Sequence, residues 1–64
     1  MKVTIETADG KFFAMHEHVL RVQRQPWSVP NAGIMPCFVV THKNTDRVSV
    51  YPCATYHLSK VEEE

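Results

Sequence analysis

Hydrophobic and polar positions alternate along this chain in paired short runs, the period of strands rather than helices. Lys2 to Thr7 alternates, Ala8-Asp9-Gly10 offers a turn, and Lys11 to His16 alternates again. A three-residue turn with Gly10 in the left-handed conformation, as a G1 bulge requires, sets Thr7 opposite Lys11, Ile5 opposite Phe13 and Val3 opposite Met15. One face then collects Val3, Ile5, Phe13 and Met15, and the other Thr4, Glu6, Phe12, Ala14 and His16. A two-residue Asp9-Gly10 turn moves the register by one and mixes apolar with polar side chains on both faces, so the bulged turn is expected.

Glu17 to Gln25 fits two patterns. Leu20 and Val22 alternate as in a strand, while Met15, Val19 and Val22 also line a helical stripe. A strand running on from Phe13 puts Glu17 inside, so the phase must break at His16 to His18, and a long bent strand is the expected form. Residues 25–36 read as a loop, since Pro26, Pro30 and Pro36 remove backbone donors and Asn31-Ala32-Gly33 is turn chemistry. Trp27, Val29 and Ile34 imply that this loop packs on the sheet. Cys37 to His42 and Arg47 to Tyr51 form a second hairpin around Lys43-Asn44-Thr45-Asp46. Pairing His42 with Arg47 groups Val39, Thr41, Val48 and Val50 as the inner face. Phe38, Val40, His42, Arg47, Ser49 and Tyr51 then form an outer face too apolar to stand wholly in water. Cys53-Ala54-Thr55 reads as a tight turn and Tyr56 to Glu62 as a last short strand.

Five strands in one small domain of residues 1–64, ending in an acidic tail at 62–64, predict an all-β fold that hides its edges as a partly closed barrel. The succession of hairpin, long loop, hairpin, tight turn and short strand resembles the small-barrel architecture of SH3-like and Sm-like proteins. The resemblance rests on strand spacing and carries over no functional residue. The alternative is an α+β fold with a short helix near 14–25 or 53–62.

Size and charge narrow the function classes. A chain of 64 residues builds a thin core and gains from a partner subunit, which favours homo-oligomers. Seven basic side chains balance seven acidic ones, which weighs against a dedicated nucleic-acid binder. No apolar run approaches a membrane span and no apolar signal-peptide core precedes the first strand, so a cytoplasmic protein without membrane contact is expected. Cys37 and Cys53 are then thiols, although a register that puts Cys37 opposite Pro52 also brings Cys53 near it.

Candidate chemistry is sparse. His16 and His18 are two apart, Cys53 precedes His57 by four and Cys37 precedes His42 by five. Zinc needs about four converging ligands, usually as two tight pairs, and no CxxC or HExxH is present. Gly10 and Gly33 are the only glycines and neither lies in a phosphate-cradling motif. No enzyme, cofactor or metal is expected. Trp27, set between Pro26 and Pro30, has the form of an interface anchor or of a plug for the core. The expected function is a small non-catalytic protein–protein interaction module, an assembly subunit or an inhibitor of a larger protein, binding through Trp27, Phe38, Val40, Tyr51 and Arg47. Two alternatives stand beside it. One is a single-stranded nucleic-acid binder stacking bases on Phe12, Phe38 and Tyr51 beside Lys43 and Arg47. The other is a small zinc-stabilised domain.

Overall fold

The computed structural model describes residues 1–63, so Glu64 of the acidic tail lies outside the described residues. The fold is all-β, with six strands among the described residues: β1 (Lys2–Thr7), β2 (Phe13–His16), β3 (Val19–Val29), β4 (Gly33–His42), β5 (Val48–Pro52) and β6 (Tyr56–Glu62). They form two three-stranded antiparallel sheets, ordered β2-β1-β6 and β3-β4-β5, and these do not close into a barrel. Neither helix of the α+β alternative forms, since residues 14–25 and 53–62 contribute to strands. No helix of the described residues is long and apolar enough to cross a membrane.

The expected long bent strand is two strands. The break falls at Glu17 and His18, where His18 adopts a φ of 56° and turns the chain from the first sheet into the second. The sheets are stitched at that corner. The Val19 N–H donates to the Met1 carbonyl over 2.9 Å, and the Met1 amino group donates back to the Val19 carbonyl over 3.2 Å.

The first hairpin takes the register that the alternation disfavoured. Val3 faces His16, Ile5 faces Ala14 and Glu6 faces Phe13. Asp9 is the reason. Its carboxylate accepts the Lys11 N–H at 3.0 Å and the Thr7 hydroxyl at 2.7 Å, and the Gly10 N–H closes on the Thr7 carbonyl at 3.0 Å. These bonds hold a four-residue loop, and Thr7 pairs with Phe12. Phe13 and Met15 therefore turn to solvent at 66% and 53% exposure, while Val3 and Ile5 are fully buried.

The second hairpin has the expected register, with Cys37 opposite Pro52, Val39 opposite Val50 and Thr41 opposite Val48. Its faces are reversed. The core consists of Val3, Ile5, Val19 and Val40, with Phe38, Tyr51, Val22, Tyr56 and Leu58 packed against it. The face carrying Phe38, Val40 and Tyr51 thus looks inward onto the first sheet, and Val48, expected inside, is 41% exposed. Each fully buried aliphatic side chain contributes about 1.5–3 kcal/mol.

Residues 25–36 are not a loop but the far end of the β3–β4 hairpin, where Trp27 faces Met35 and Pro26 faces Pro36. The Pro36 carbonyl accepts the Cys53 N–H at 3.0 Å, so the backbone polar groups of Pro36 point away from β3. Pro26 and Pro36 therefore meet as a pair that exchanges no hydrogen bonds, and the two missing donors cost the β3–β4 ladder nothing.

Candidate functional site

Beyond the register shift between Val19 and Arg21, residues of one parity in β3, β4 and β5 face the core, and the opposite parity forms the back of the second sheet. Cross-strand pairing places Trp27 beside Met35, Gln25 beside Cys37 and Pro52, and Gln23 beside Val39 and Val50 on that back face. The run Cys37-Phe38-Val39-Val40 is apolar on both faces of the central strand, a pattern found where both sides of a sheet are covered. Here the first sheet covers one side only. Cys37 and Val39 are nevertheless buried, at 0% and 4% exposure, among the side chains of their own sheet. Trp27, Met35, Val50 and Pro52 around them are half-buried. A small cleft of about 140 Å³ runs across this face, walled by Trp27, Val29 and Pro30 on one side and by Val50 and Pro52 on the other.

The five expected contact residues separate into three places. Trp27 lies on the back face. Val40 is fully buried in the core, with the half-buried Phe38 and Tyr51 packed against it, so these three are on the inner and not the outer face. Arg47 is exposed beside the β4–β5 turn, at a second and larger cleft. The alternation could not distinguish the two faces of the second hairpin, because each carries three or more apolar side chains. The signal that separates them lies in the other sheet, in the fully buried Val3 and Ile5.

Half-buried polar side chains on the inner faces of the two sheets meet at His16, His42 and Tyr51. The His16 Nε2 and the Tyr51 hydroxyl are in hydrogen-bond contact at 2.6 Å, His42 Nε2 lies 3.0 Å from the Ser49 hydroxyl, and the two imidazole rings stand 5.2 Å apart, edge to face. Burial, and secondarily the neighbouring His42, lower the pKa of His16. Burial, then Tyr56, raises that of Tyr51. Tyr51 and Phe12 each meet Tyr56 edge-on, so Phe12, Phe38 and Tyr51 do not share one open stacking face.

Both cysteines are free. The Cys37 thiol donates to the Met35 carbonyl at 3.4 Å, and burial, followed by the nearby Cys53, pushes its pKa up. Cys37 and His42 lie on opposite faces of β4, and His57 stands 3.7 Å from the Glu6 carboxylate on the outer face of the first sheet. Among the described residues no three His, Cys, Asp or Glu side chains are set to hold a metal ion. Compared with protein-family models, with curated proteins and with solved structures, the chain matches none.

Proposed function

We propose that this protein is a non-catalytic protein–protein interaction module that buries the back face of its second sheet, centred on Trp27, against another protein chain. The observation that carries the reading is a central strand apolar on both sides with a second sheet over only one of them. Trp27, Met35, Val50 and Pro52 offer an aromatic anchor with aliphatic neighbours around a shallow cleft, the composition of an interface centre. Strand addition along the open edge of β3 is the weaker mode, because Pro26 turns its donor-less nitrogen toward that edge. Self-association is the simplest form of the contact and accords with a core of four fully buried aliphatic side chains. In this reading the protein works in the cytoplasm, where Cys37 and Cys53 stay reduced, and its two sheets are an opened relative of the small SH3-like barrels.

Sedimentation of the pure protein across a concentration series tests the proposal. A reversible dimer or larger species is expected, with Trp27 emission protected from a soluble quencher as it forms. Val50→Glu, which places a charge on the back face away from Val3, Ile5, Val19 and Val40, is expected to leave a folded monomer. A wild-type protein that stays monomeric, and that recovers the same partners from its native source as Val50→Glu does, overturns the reading.

A further inference from the structure

The larger cleft, of about 450 Å³, opens where the two sheets are stitched together. It lies within the usual size range of small-molecule sites, about 300–1,000 Å³. One wall is the β2–β3 corner with Glu17 and His18, and the other is the β4–β5 turn with Lys43, Thr45 and Arg47, floored by His42 and Ser49.

The chemistry of these walls is one-sided. Neither Lys43 nor Arg47 has an ion-pair partner among the described residues. The Thr45 hydroxyl oxygen accepts the Arg47 backbone N–H at 3.2 Å, which leaves its own proton to give. The Ser49 hydroxyl is fixed by His42 Nε2 at 3.0 Å. The single wall carboxylate among the described residues, Glu17, stands 4.0 Å from the Lys2 ammonium, which offsets its charge. Two cations without an ion-pair partner among the described residues, and the hydroxyls of Thr45 and Ser49, thus line the cleft. A planar carboxylate has two oxygens to offer such donors, whereas a phosphoryl group offers three and a larger charge. The distribution of charge along the chain agrees: residues 19–52 hold Arg21, Arg24, Lys43 and Arg47 with Asp46 as their only acidic side chain.

We propose that this cleft binds a terminal phosphoryl group, carried by a small phosphate ester. The site is separate from the Trp27 face and stands or falls independently of it.

Amide-resolved NMR titrations with pyrophosphate, adenosine monophosphate and a short oligothymidylate, at constant ionic strength in chloride, test the proposal. Saturable shifts are expected at residues 17–18 and 42–49. Lys43→Met and Arg47→Met should each weaken binding about tenfold, the scale of one charge-assisted hydrogen bond. Both side chains are exposed, so these variants keep the amide spectrum of the core. Glu17→Gln should tighten binding, and Arg24→Met, on β3, should leave it unchanged within about twofold. Preference for adenosine monophosphate and pyrophosphate over oligothymidylate is expected and supports the site; preference for oligothymidylate identifies a diester backbone and overturns it. Absence of saturable shifts with all three probes at roughly 10 mM overturns it, as does an Arg24→Met loss equal to that of Arg47→Met, which signals diffuse charge attraction.

Discussion

Val40 and Val48 offer a direct test of which face of the second hairpin is inside. Both are valines on paired strands, yet Val40 is fully buried against Val3, Ile5 and Val19, while Val48 is 41% exposed on the opposite face. Truncating Val40 to alanine removes two methyl groups from the interior. Transfer alone makes that worth about 1.6 kcal/mol, at about 0.8 kcal/mol per buried carbon. The cavity left behind adds up to about 1 kcal/mol where neighbouring side chains do not collapse. The expected loss for Val40→Ala is therefore about 1.6–2.6 kcal/mol. A chain of this length has roughly 3–10 kcal/mol of stability in total, so the melting midpoint should fall by at least about 6 °C. Val48→Ala gives up a partly wet side chain and should cost below about 0.5 kcal/mol. Urea denaturation followed by Trp27 emission, with thermal melts by circular dichroism, measures both. Equal losses, or a larger loss for Val48→Ala, would refute the placement of the core.

Two further outcomes follow from the interior chemistry. Because the pKa of His16 is lowered by burial and then by His42, the unfolded chain takes up this proton first as the pH falls. The contribution of His16 to stability is present above its ordinary value of 6.5 and drains away as the pH drops through 6.5 toward the lower folded value. The urea midpoint should decline over that window, and His16→Gln should flatten the decline; an unchanged slope contradicts the assignment. A thiol reagent should label the half-buried Cys53 in the native protein and reach Cys37 only on opening of the sheet, so Cys53→Ser slows native labelling by about a hundredfold or more. Equal reactivity of the two cysteines would show the back face to be open down to β4.

Much of the strand pattern is legible in the letters, and the errors have local causes. The second hairpin was readable because Lys43-Asn44-Thr45-Asp46 leaves one pairing that aligns the flanking runs, and Asn44 supplies the left-handed turn residue at a φ of 63°. The register of the first hairpin departs from the alternation because the decisive bonds belong to the Asp9 side chain, which captures the Lys11 N–H and lengthens the loop. Hydrophobic alternation contains no record of that capture. Residues 25–36 looked like a loop because three prolines look like three breaks, and only their cross-strand placement shows that they interrupt no ladder. Of the expected contact residues, Trp27 and Arg47 lie outside the core, on the back face and beside the β4–β5 turn. Phe38, Val40 and Tyr51 face the first sheet rather than the outside, and a central strand apolar on both faces does not say which face a distant segment will cover.

The pairing of β1 with β6, from Lys2 beside Glu62 to Thr7 beside Tyr56, joins the two extremities of the described chain. The second sheet, by contrast, is built wholly from neighbours joined by tight turns. Loop closure therefore sets a sequence of events: the middle of the polypeptide can zip early, whereas the first sheet waits for the last strand to be released from the ribosome. Until then Val3 and Ile5 have only one of their two flanking strands, and a nascent chain stalled before Tyr56 is the form most exposed to chaperones and proteases.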